Sequence, residues 1–113
     1  MSISVKGYGE NVLTFNTELT EAGVPVAVGA DSTVSKATAD SDFIGFTTYA
    51  DGEIAGVIVD GYVEVPYTGS APSYGFAALV SNGTNGVKTS TSSKHIVRVI
   101  KVDTDTRTVG FIL

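Results

Sequence analysis

His95 is the only histidine in the chain, and it stands between a Ser/Thr-rich stretch and an apolar one. A catalytic histidine needs an orienting carboxylate on one side and a nucleophile on the other. Serines are plentiful, yet none lies in the G-x-S-x-G turn that lifts a nucleophile out of a sheet. A surface histidine at the start of a strand accounts for His95 without any reaction. Carboxylates come in three close sets: Asp40 with Asp42, Asp51 with Glu53, and Asp103 with Asp105. Paired carboxylates can hydrolyse glycosides or hold a cation. Here "DSD", "DGE" and "DTD" fall where turns are expected, and aspartate belongs in turns because its side chain bonds nearby backbone amides. The calcium-loop pattern fails in "DTDTRT", where Arg107 takes the place of a third oxygen ligand. "GYGENV", from Gly7 to Val12, lacks the preceding strand, third glycine and following helix of a dinucleotide site. These residues imply no catalytic group, no cofactor and no metal, so the chain is expected not to be an enzyme.

Tyrosines offer a different chemistry, that of contact. A tyrosine joins a large apolar face to a polar tip and is enriched at protein interfaces. Tyr62, Tyr67 and Tyr74 cluster around "GYVEVPYTGSAP", and no charged residue lies between Glu64 and Lys88. Interface cores are likewise poor in charge. Tyr62, Tyr67, Thr68, Ser70, Ser73 and Tyr74 are therefore the candidate interface residues. Pro66 has no N–H to give to a ladder and reads as a sheet edge, a bulge or the end of a strand.

The elements that must carry these residues are strands. Valine and isoleucine number 23 against four leucines, and β-branched side chains favour pleated surfaces. Apolar spacing of two recurs along the chain, while helical spacing does not persist. Strands are predicted near Val12–Phe15, Pro25–Val28, Thr33–Ala37, Phe43–Tyr49, Ile54–Val59, Tyr62–Tyr67, Phe76–Ser81, His95–Val102 and Thr108–Ile112. "GADS", "ADGE", "DG", "TGSAPSYG" and "DTDTR" separate them as turn signals. The one candidate helix is a single turn near Thr17–Ala22. The fold expected is all-β, a small single-domain barrel or sandwich spanning residues 12–113 with Gly/Ser/Thr-rich loops. Residues 1–11 read as a flexible N-terminal arm, poor in large apolar groups. "HIVRVIKVD" is apolar on both sides and reads as a central strand or one bent by a bulge. Val57, Val59, Val63, Val65, Val97, Val99 and Phe111 are the expected core. Asn82–Lys94 reads as a mobile loop anchored by Val87, and no repeat of fixed period is visible.

Composition narrows the partners. The chain of 113 residues has a formal charge of −5 and no cysteine. Its Lys and Arg residues lean toward the C-terminal third, but Asp103 and Asp105 interrupt them, so no phosphate-binding surface is formed and nucleic acid is not expected. No apolar run approaches the roughly 18 residues of a membrane span, and the first dozen residues lack the apolar core of a secretory signal. Synthesis in the cytoplasm and solubility until a partner is met are the expectation. Charged residues make up 17%, below the roughly 25% usual for soluble domains, which leaves neutral surface for a partner to cover.

The stretches "PVAV", "FIGF", "GYVEVPYTG", "NGTNGVK" and "VDTDTRTVGFIL", spread over Gly23 to Leu113, are similar to those of small β-proteins encoded among the structural genes of tailed phages and prophages. The chain thus resembles the family of capsid decoration, or head cement, proteins. That resemblance implies a virion component made in the host bacterial cytoplasm, docked on the major capsid protein from outside. It implies a homo-oligomer, commonly a trimer around local symmetry axes, and it brings no catalytic residue. A phage tail or baseplate structural protein would have the same composition. A carbohydrate-binding β module would stack sugars on Tyr62 or Tyr74 with Glu64 nearby.

Overall fold

The computed structural model describes residues 11–91, 93 and 96–113. Residues 1–10 of the expected arm and His95 lie outside the described residues. Ten strands follow in order: β1 Asn11–Thr17, β2 Pro25–Ala30, β3 Thr33–Lys36, β4 Gly45–Ala50, β5 Ile54–Asp60, β6 Tyr62–Thr68, β7 Gly75–Ser81, β8 Val87–Thr89, β9 Ile96–Asp103 and β10 Thr108–Ile112. They form two closed five-stranded barrels, ordered β1-β3-β2-β4-β5 and β10-β6-β8-β7-β9. The all-β expectation holds, and its barrel form is the one adopted. Asn11 opens β1 opposite Asp60 and so belongs to the fold rather than to an arm. No helix occurs near Thr17–Ala22, where the Thr17 hydroxyl accepts from the Leu19 N–H at 3.1 Å and bends the chain. The expected loop Asn82–Lys94 contains β8, and Val87 at its start is fully buried.

The barrels share one connectivity. In each, the first strand runs parallel to the third and antiparallel to the fifth. Each also carries a bulge between its fourth and fifth strands, at Thr47/Tyr49 opposite Val57 and Gly56, and at Val99/Lys101 opposite Phe111 and Gly110. Gly56 and Gly110 fit because a Cβ would strike the Tyr49 ring in one case and the Tyr62 hydroxyl in the other. Matching positions such as Leu13 and Val63, Val34 and Val87, and Gly56 and Gly110 are 50, 53 and 54 residues apart. The duplication is therefore present in space without a fixed period in sequence.

Val57, Val63, Val65, Val97, Val99 and Phe111 are buried as the alternation predicts, and Val59 is half-buried against the first barrel's cluster. That cluster is small: Val24, Val26, Val34, Ala55 and Val57. The larger one fills the second barrel and also takes in Phe43, Phe46 and Ile58 from the first. Phe43 and Phe46 place their rings 6.3 and 6.0 Å from that of Phe111. Three rings thus join the two barrels. β9 is not buried on both sides: Val97 and Val99 point inward by alternation while Ile96 and Ile100 are exposed, and the bulge after Val99 returns Val102 to the core side.

Turn chemistry repeats as well. The Asp51 carboxylate accepts from the N–H groups of Glu53 and Ile54, both at 2.9 Å. Asp103 accepts from Asp105 and Thr106 at 3.0 and 3.2 Å. These bonds, led by Ile54 and by Thr106, hold both carboxyls below the ordinary value of 3.8. A carboxyl that ionises more readily folded than unfolded adds stability above its unfolded value, and loses it as pH falls through the folded one. The Asp51→Asn/Asp103→Asn variant should therefore melt below the wild type at about pH 5, with the gap closing toward about pH 2. Melting curves across that range check this; a gap constant with pH would show that the two charges do not matter.

Candidate docking surface

Pro66 does not end its strand. It pairs with Thr108, and β6 runs on to Thr68. The Tyr67 N–H points to β10, donating to the Arg107 carbonyl at 3.0 Å. Alternation turns residue 66 the other way, toward β8, whose pairing with β6 begins only at Tyr67. The matching Asn16 N–H of the first barrel donates to the Ser32 carbonyl at 2.7 Å, and the proline gives up that one bond.

Tyr67 is also not a surface residue. Period-two alternation puts it on the side of Val63 and Val65, and it is buried in the larger cluster. The Arg107 guanidinium lies 4.9 Å from its ring centre and donates to the Gly69 carbonyl at 2.7 Å. Tyr67 and Arg107 thereby fasten the start of the following loop. Tyr62 is half-buried over Gly110, and its hydroxyl donates to Glu64 at 3.1 Å. Glu64 also accepts from Lys101 at 3.3 Å, so the carboxylate a sugar platform would use is already engaged. Thr68, Ser70 and Ser73 are exposed, with Pro72 between them buried as the loop's internal anchor. Tyr74 is 69% exposed.

The structure sets Tyr74 beside a residue the sequence hides. Phe76 is 79% exposed at the start of β7. Only its second half is inner: Leu79, Val80 and Ser81 are buried. Register puts Phe76 opposite Arg98 of β9, and Arg98 opposite Ile112 of β10. Ile96 and Ile100 are exposed on the same strand as Arg98. The outer face of β7, β9 and β10 is thus an apolar and aromatic patch around one guanidinium, bordered by the loop from Thr68 to Gly75. The available sequence signal was the second apolar side of "HIVRVIKV".

Two clefts lie where the parallel strand pairs end. One of about 350 Å³ is lined by Thr68, Gly69, Lys88, Ser90 and Asp40, with Lys88 paired to Asp40. The other, of about 310 Å³, is lined by Glu18, Leu19, Thr33, Val34 and Ser35. Among the described residues no three His, Asp or Glu side chains gather where a metal could sit. Neither the family models nor the curated proteins contain a match to the chain.

Proposed function

We propose that the chain is a non-catalytic virion structural protein of a tailed phage: a capsid decoration, or cement, protein that docks on the major capsid protein. It is made in the bacterial cytoplasm and acts in the virion as a homo-oligomer, a trimer around local symmetry axes. The observation that carries the docking role is the patch centred on Phe76, with Tyr74 beside it and Arg98 opposite, a surface for a capsid subunit or a neighbouring copy on the lattice to cover. Monomeric proteins rarely leave a contiguous apolar patch of this kind in water, and tyrosine and arginine are the residues that most often anchor an interface. The resemblance of the strand and turn segments to phage decoration proteins supplies the partner.

Co-sedimentation with capsids that lack this protein tests the reading. Wild type should bind to saturation, and the Tyr74→Ala/Phe76→Ala variant should bind at least about a hundredfold more weakly, because each buried aromatic anchor is worth about 2 kcal/mol or more. Ser70→Lys/Ser73→Lys should also weaken binding by placing charges in a desolvated contact. Both variants change exposed positions and should melt close to wild type. Binding to tails instead of heads would make the chain a tail or baseplate component, and binding to neither would end the proposal.

A further inference from the structure

The duplicated fold exposes a contact used once and left over once. Strand pairing places Ile58, Phe46 and Pro25 in one row on the first barrel. Ile112, Arg98 and Phe76 form the matching row on the second. In the first barrel this row faces away from the barrel's own cluster and is covered: Ile58 and Phe46 are 6% and 3% exposed within the second barrel's core. In the second barrel no described residue covers Phe76 or Arg98, and Ile112 is half-buried. Phe76 stands in solvent, and Arg98 has no hydrogen bond or ion pair among the described residues.

The receiving side is left over at the opposite end. Val63 and Val65 share a cluster with Phe43 and Phe46 and are buried. Their positional counterparts in the first barrel are Leu13, 50% exposed, and Phe15, half-buried. Charge is divided to match. Residues 11–60 contain eight carboxylates and the single Lys36, a net −7, while residues 61–113 contain three carboxylates against five Lys and Arg, a net +2. Complementary potentials steer association and fix its orientation.

We infer that a second copy of this chain covers the exposed row: the Ile112–Arg98–Phe76 face of one copy docks on the Leu13–Phe15 side of the next copy's acidic first barrel, repeating between chains the contact made within each. The interface is heterologous, head to tail, so it grows into a filament or closes into a ring. It deepens the homo-oligomer above by naming both of its surfaces, and it needs no capsid to be present.

Sedimentation velocity on the purified full chain tests it with two variants, Arg98→Glu for the donating face and Leu13→Lys for the receiving side, each first shown by melting curve to fold. Wild type should associate with rising concentration, and severalfold more weakly when salt is raised from about 50 to about 500 mM. Each variant alone should stay monomeric, because it has lost one of the two surfaces. Mixed together, they should form complexes, because each retains the surface the other lacks. Association of Leu13→Lys alone would mean that like faces meet, and it would overturn the head-to-tail contact. A monomeric mixture, or a wild type that never associates, would overturn it too. In the latter case retained, Phe76-dependent capsid binding would assign the face to the capsid subunit and leave the docking role standing.

Discussion

Replacing Phe111 with alanine is expected to lower stability by about 3–5 kcal/mol, the usual cost of deleting a buried aromatic ring. The ring is fully buried and touches the rings of Phe43 and Phe46, which reach it from the other barrel. The closed strands around the three rings leave little freedom for collapse. Since a domain of this kind has about 5–15 kcal/mol in all, the variant should melt roughly 15 °C lower and lie near the folding threshold. Because the three rings join the barrels, both should lose structure in one transition. Two separated transitions in calorimetry would show that the barrels do not depend on this contact.

Gly45→Ala is expected to cost about 3 kcal/mol, the upper end for overpacking. A Cβ there would lie 2.0 Å from the Ile58 carbonyl oxygen, which is backbone held in the β4–β5 ladder. Neither strand can yield without carrying Phe46 or Ile58 out of the shared core. Gly29→Ala is the control: nothing lies within 4 Å of its added Cβ, and its φ is not in the left-handed region. That variant should melt within a few degrees of wild type. Equal losses at the two positions would mean that chain entropy, not contact with Ile58, decides the effect.

Much of this fold can be read in the residues, and the reasons are local. Val97 and Val99 alternate inward, Asp51-Gly52 and Asp60-Gly61 turn with glycine at positive φ, and Val87 anchors its segment because it is a buried apolar residue in a polar stretch. The duplication stays hidden because matching positions carry opposite chemistry: Phe46 stands where the other barrel has Arg98, and Tyr49 where it has Lys101. Those differences follow from position, since one row is covered and the other is bare. The candidate site was legible only in part. Tyr74, Ser70 and Ser73 lie at the exposed loop, whereas Tyr67 is core, as its alternation with Val63 and Val65 already implied. Pro66 misleads because it forgoes a bond only on the side of β8, while the pairing with β10 carries β6 on past it. Phe76 could not be found by pattern. Its exposure depends on pairing with Arg98, some twenty residues away in sequence.

The most direct measurement is an image reconstruction of capsids that lack this protein, after saturation with the purified wild type. Two-barrel density is expected at regular positions on the outer lattice, with β7 and β9 turned into a contact and Phe76 and Arg98 covered by a capsid subunit or a neighbouring copy. Bare capsids would contradict the docking role, and bound protein with that face turned to solvent would contradict the surface assigned to it.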